Sequence, residues 1–175
     1  MISKTLIEMI KRSLDRLTKH WCQEITKSEF MKTYQQYNDD ELIKRNKKFF
    51  ENLTKWIEEG TSRQEIGAYF VDIGKKRYRE KFPLCELNYA VFLGKKVFRD
   101  IILNEAILNS ALECHQAIGL ITMIDKFFDL GNFYLIRGYL EEMYSTMVDS
   151  KKLSDEDIKK YFFHGSFFKL DALFS

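Results

Sequence analysis

The chain has 175 residues, of which 45% are hydrophobic, 15% aromatic and 31% charged. One proline and eight glycines exclude collagen, proline-rich linkers and most loop-rich small folds, and the hydrophobic content excludes global disorder. With 28 basic against 26 acidic residues the net charge is only +2, so nothing demands a polyanionic partner, and the length fits one domain with a real core.

The start of the chain, Met1 to Glu8, has no long apolar run and does not read as a signal peptide. The longest uncharged stretch in the apolar second half, Cys114 to Ile124, is 11 residues and too short to span a bilayer. Cys22, Cys85 and Cys114 are odd in number, far apart, and form no Cys-x-x-Cys pair. That pattern suits a reducing cytoplasm and buried thiols, not a disulfide framework or a zinc site. A cytoplasmic protein with no membrane partner is expected.

The apolar spacing is helical nearly throughout. Leu6, Ile10, Leu14, Leu17, Trp21 and Ile25 place one stripe on a first helix over Lys4 to Thr26. The polar stretch Gln35 to Asp40 interrupts it, and Asn38 or Asp39 can cap the next helix through a short side-chain oxygen. That helix carries Leu42, Phe49, Leu53, Trp56 and Ile57 and ends at Gly60, a residue type suited to a left-handed C′ position. Ser62 and Glu65 then read as a capping box. The third helix, with Ile66, Tyr69, Phe70 and Ile73 on one side, should stop before Pro83. Pro83 opens a fourth helix whose stripe is Leu84, Leu87, Val91, Gly94, Phe98 and Ile101.

From about Ile107 to Met147 the pattern is again helical, with a break expected at Asp129 to Asn132. Unbroken, such a rod would be roughly 60 Å long, too long for one compact domain without a kink or a protruding end. Ser154 to Asp157 cap a short last helix, and the tail holds five phenylalanines, at 162, 163, 167, 168 and 174. The expected fold is an all-α bundle of about six helices, with residues 1–150 as one domain and 151–175 as a short helix and aromatic tail.

Two features exceed a generic bundle. Gly67 and Gly74 lie seven apart in the third helix, and Gly131 and Gly138 lie seven apart in the fifth. Glycine in a helix interior costs up to about 1 kcal/mol relative to alanine. A spacing of seven puts both members of a pair on one face, which predicts a tight helix crossing in preference to a ligand pocket. The second feature is the fifth helix itself, apolar almost all round between Ala117 and Ile136. A surface helix should show a polar face. One side is expected in the core and the other in a two-fold homodimer interface built from Ile124, Phe127, Phe128, Tyr134 and Leu135.

Catalytic chemistry is hard to find. The three histidines form no His-x-x-x-His or Glu-x-x-His pair, which disfavours a metal or di-iron bundle. No Gly-x-Ser-x-Gly, Walker or dinucleotide fingerprint is present, and no enzyme is expected. His115, in the apolar fifth helix, could serve as an axial haem ligand if its pocket is dry. It recurs with Thr122 and Asp129 every seven residues as a narrow polar stripe, either bonded within the bundle or wet. The basic run Lys75 to Lys81 reads as a helix end, where cations complement the dipole, rather than as a nucleic-acid surface.

The segments Leu53 to Gly60, Gly74 to Leu87 and Phe128 to Glu142 resemble the helical N-terminal sensor domain of RsbR-type stressosome co-antagonists, a likeness that spans Asp40 to Met147. The resemblance implies a globin-like, dimeric fold without an obligatory haem. It also implies a non-catalytic signalling role, in which a shift of the long helix passes a ligand or partner signal to a protein partner in the pathway. Should a tetrapyrrole or another small ligand bind, His115, Tyr69, Tyr89 and Phe92 are its expected contacts; otherwise no cofactor is expected. About 28 residues follow Met147, fewer than an output domain needs, so a free-standing sensor module or a fragment is expected.

Overall fold

The computed structural model describes residues 4–59, 62–105, 110–150 and 154–162. Among them are six α-helices and no strand, in the order α1 (Lys4–Lys27), α2 (Asp39–Glu59), α3 (Arg63–Arg79), α4 (Leu84–Glu105), α5 (Ala111–Asp149) and α6 (Asp155–Phe162). The all-helical class and the helix number are those the periodicity predicts. Gly60 and the aromatic tail from residue 163 onward lie outside the described residues.

Short polar side chains start four of these helices by accepting amides of the first turn. Asn38 Oδ1 accepts from the Glu41 amide at 2.8 Å, which decides between the two capping candidates of α2. Ser62 and Glu65 form the reciprocal capping box of α3. Ser110 Oγ accepts from the Glu113 amide at 3.2 Å and opens α5 at Ala111. Ser154 Oγ accepts from the Asp157 amide at 3.1 Å and opens α6.

The end of α3 is a Schellman turn. Phe82 N–H donates to the Arg77 carbonyl at 3.0 Å and Lys81 N–H to the Tyr78 carbonyl at 2.9 Å. Lys81 takes the left-handed C′ conformation, with φ of 62°. The Arg77 guanidinium lies over the Phe82 ring, 5.2 Å from its centroid.

Helix α5 runs 39 residues without interruption, so the break expected at Asp129 to Asn132 does not occur. Two compact units divide the chain: Met1–Thr61 with Cys85–Leu130, and Ser62–Leu84 with Gly131–Ser175. The long rod is therefore shared by two units, one taking it to Leu130 and the other from Gly131.

In the first unit, α1, α2, α4 and the first half of α5 bring together a buried aromatic core. Phe50 meets Phe98 at 5.4 Å between ring centroids, Phe98 meets Phe128 at 6.0 Å, and Phe49 meets Phe128 at 5.8 Å. Leu17, Ile25, Leu53, Val97, Leu120 and Ile124 fill the space around them. Trp21 Nε1 donates to the Ala90 carbonyl at 3.0 Å, so the indole's polar edge is satisfied inside the core. Polar residues between α1 and α2 form a 3₁₀ turn, Tyr34–Gln36, which the sequence pattern leaves unmarked. It is tied down by Glu86 of α4, whose buried carboxylate accepts from Thr33 N and from Thr33 Oγ1, both at 3.0 Å.

The cysteines do not all fit the buried-thiol expectation. Cys22 is buried, and burial pushes its thiol up to about 11, but Cys85 is exposed at the start of α4 and Cys114 is half-buried. The second unit holds α3, the rest of α5 and α6, with Phe70, Phe82, Tyr134, Leu135 and Ile158 buried. Among the described residues no helix is long and apolar enough to cross a membrane.

A non-glycine residue in the left-handed region costs about 1 kcal/mol. Replacing Lys81 by glycine is therefore expected to stabilise the protein by up to about 1 kcal/mol. A higher denaturant midpoint with an unchanged slope would show it; a lower midpoint would mean that the Lys81 side chain outweighs its backbone strain.

Candidate functional site

The glycine pairs of α3 and α5, Gly67 with Gly74 and Gly131 with Gly138, lie where these two helices cross in the second unit. A Cβ on Gly74 would overlap the Leu135 carbonyl and lie 2.7 Å from the Tyr139 amide nitrogen. A Cβ on Gly138 would overlap the Val71 carbonyl in turn. One heptad away, Gly67 lies under the Tyr134 ring and Gly131 under the Phe70 ring. The crossing of α3 and α5 thus has two levels, backbone against backbone at one and glycine against aromatic ring at the other. The spacing of seven serves packing: each glycine lies against a carbonyl or a ring of the facing helix.

A polar cluster flanks this crossing. Arg137 is 2% exposed, and its Nε donates to Glu141 at 2.8 Å. Glu141 also pairs with Lys75 of α3 at 3.2 Å. Arg79 grips Glu142 with two bonds, at 2.7 and 3.0 Å, which holds the Glu142 carboxyl below its ordinary value. Tyr139 Oη donates to the Phe82 carbonyl at 2.9 Å, and Tyr78 packs edge-on against Tyr139 at 5.2 Å. Arg77 pairs with Glu80. Most cations of the run from Lys75 to Lys81 are thereby engaged in ion pairs within the unit.

The candidate ligand residues do not converge. His115 is exposed near the start of α5, so the dry pocket an axial imidazole needs is not formed around it. Its stripe is wet: Thr122 and Asp129 are also exposed, with Thr122 Oγ1 bonded to the Ile118 carbonyl and Asp129 to Lys95 at 2.8 Å. Tyr89 and Phe92 do meet, stacked at 5.7 Å, but on the surface, where Phe30 joins them at 5.8 Å. Phe92 is 56% exposed. Tyr69 belongs to the other unit, against Phe70.

The candidate interface residues are used by the chain itself. Ile124 and Phe128 are buried in the first unit, and Tyr134 and Leu135 in the second. Phe127 is part-buried against Trp56 at 5.6 Å. The second apolar side of α5 is thus met by α2 and α3 of the same chain. Among the described residues, no group of three or more His, Cys, Asp and Glu side chains is placed to hold a metal ion. Arg137 and Glu86 are the functional-looking polar residues the sequence reading missed. For Arg137 the available signal was its Glu141 partner four residues on, inside an apolar stretch.

Residues 3–141 match the family model described as histidine kinase N terminal, and the chain belongs to that family. It is thus of the N-terminal, signal-transducing type of histidine kinase region, as distinct from the catalytic domain. No curated protein and no solved structure matches the chain.

Alanine at Gly74 or Gly138 has no room and is expected to cost about 3 kcal/mol or more. Alanine at Gly119, with nothing within 4 Å of its Cβ position, should instead stabilise by up to about 1 kcal/mol. Chemical denaturation of the three variants separates the two outcomes. For Glu142, a carboxyl held low by Arg79 stabilises the fold above its ordinary value of 4.5, and that contribution disappears as pH falls through the lowered value. Glu142→Gln should therefore lower Tm slightly at pH 7, and the gap to the unaltered protein should narrow as pH is taken below 4.5 and through the lowered value.

Proposed function

We propose that this chain is a signal-receiving input domain in which α5 carries the response from the first unit to the second, acting as a homodimer. The observation that supports the reading is the uninterrupted course of α5 through both units, together with the crossing that fixes its register on α3. A helix held in one register transmits a shift or rotation instead of absorbing it.

The dimer surface belongs on the exposed side of α5, since the residues first considered are covered by their own chain. Leu112 and Ile118, 66% and 62% exposed, stand there in the first unit. Large apolar side chains left open on a helix favour a protein partner, and a second copy is the partner the family resemblance implies. The finer likeness to RsbR-type sensor domains fits the same reading, because such domains hand their signal to an output partner. Two of the segments that carry it, Gly74 to Leu87 and Phe128 to Glu142, include the faces of the α3–α5 crossing.

Sedimentation should show the unaltered chain as a dimer and Ile118→Glu as a folded monomer. Hydrogen exchange of the amides from Tyr139 to Asp149 should be faster in that monomer. A monomeric unaltered chain overturns the dimer; exchange that differs only as far as Leu130 overturns the relay.

A further inference from the structure

In the second unit α5 has two unlike sides. Tyr134, Leu135, Gly138, Glu141 and Glu142 share the side that meets α3. Phe133, Ile136, Leu140, Met143 and Met147 recur by three, four, three and four, and so stand about 180° away around the helix. Phe133 is 38% exposed, and the other four are half-buried. This outer side carries no charge. Between Gly131 and Val148 the ionised residues are Arg137, Glu141 and Glu142. Arg137 pairs with Glu141, Glu141 also with Lys75, and Glu142 with Arg79. A helix side that faces only water ordinarily carries charged residues, whereas a narrow apolar seam at this spacing suits a second apolar segment laid along it.

The chain supplies such a segment within the same unit. Only residues 150–154 separate α5 from α6, so α6 starts no more than about 20 Å from the end of α5. Ile158 of α6 is fully buried in that unit. Residues 163–175 follow α6 and lie outside the described residues. Among them Phe163, Phe167, Leu170 and Phe174 recur by four, three and four, the same step as the seam on α5. Lys169 and Asp171 cancel, so this segment matches an uncharged side. Its length as a helix would be about 20 Å, and the seam from Phe133 to Met147 rises about 21 Å. Met143 and Met147 add flexible thioethers, which pack well against aromatic rings.

We infer that residues 163–175 dock on the outer side of α5 in their own chain, with the aromatic stripe of the segment against Leu140, Met143 and Met147. The occupant is this segment and not a second copy for two reasons. The seam covers only two heptads, fewer than the three or so that sustain a coiled coil between free chains. A tethered segment, in contrast, meets its site at an effective concentration in the millimolar range. Docked there, it covers the stretch of α5 beyond Gly138, where no described residue of the helix is buried. The inference stands apart from the proposed dimer, whose residues Leu112 and Ile118 belong to the first unit.

The full chain is labelled at its methionine methyls and phenylalanine rings for nuclear magnetic resonance. Nuclear Overhauser contacts are expected from the Met143 and Met147 methyls to ring protons of Phe167 or Phe174, with both methyls shifted upfield by the rings. Amides from Phe167 to Leu173 should exchange at least about tenfold more slowly than those of an open chain. Phe167→Ser with Phe174→Ser, which leaves every residue of α5 in place, should remove the contacts and the upfield shifts and return these amides to open-chain exchange. The methyl of Met31, buried in the first unit, should not move. Leu140→Ser is the reciprocal change on α5 and should release the same amides. Absence of the contacts in the unaltered chain, or open-chain exchange from Phe167 to Leu173, overturns the docking. Contacts that appear only between differently labelled chains of a mixed sample overturn it as well, because the segment would then sit on a second copy.

Discussion

The second unit depends on two places where a side chain cannot exist. At Gly74 and Gly138 the backbones of α3 and α5 approach so closely that a single methyl group would enter a carbonyl oxygen of the facing helix. Because each glycine faces backbone on the other helix, the constraint is reciprocal. Sliding α5 by one residue brings a Cβ to each of these points, and so does rotating it. Register is therefore fixed by exclusion, which is stiffer than attraction, since repulsion rises steeply over a few tenths of an ångström.

The ion pairs reinforce that register without creating it. Lys75 and Arg79, one turn apart on α3, reach the neighbouring acids Glu141 and Glu142 on α5. Arg137 is the costly member, nearly sealed from water, and Glu141 on its own helix offsets its charge. Buried pairs of this kind are weak evidence for stability, because desolvation opposes the Coulomb gain. Their bearing on register is clearer: a one-residue slip of α5 would part Glu141 and Glu142 from Lys75 and Arg79, while the Arg137–Glu141 pair, on one helix, would move intact.

The sequence makes much of this legible, and the limits are physical. Helix starts are readable because capping needs one short oxygen at one position, and Asn38, Ser62 and Ser154 supply it. The glycine pairs are readable because four helix-interior glycines in two heptads are too destabilising to be incidental. The path of α5 is not readable, because Asp129 to Asn132 looks like a turn in isolation. Gly131 there answers the Phe70 ring of α3, a contact 61 positions away in sequence. The candidate interface fails for the same reason. Apolarity on two sides of a helix says that both sides are covered, without saying whether by α2 and α3 or by a second molecule. His115 shows the converse limit, because a lone polar residue among apolar neighbours marks a pocket on one face and open water on another.

A helix that answers a signal must be able to move somewhere along its length. In the second unit α5 is held by backbone exclusion, and small displacements there are strongly opposed. In the first unit its contacts are side chains: Phe128 against Phe49 and Phe98, and Phe127 against Trp56. Aromatic rings can tilt and repack at a cost of about 1 kcal/mol, which is the scale of a coupling free energy between sites. The backbone-against-backbone contacts of this one helix thus lie in the second unit, while in the first its aromatic contacts are ring against ring. In the relay proposed above, an input that repacks the first unit would be passed on as a movement of α5 and α3 together, since the crossing lets neither helix yield alone.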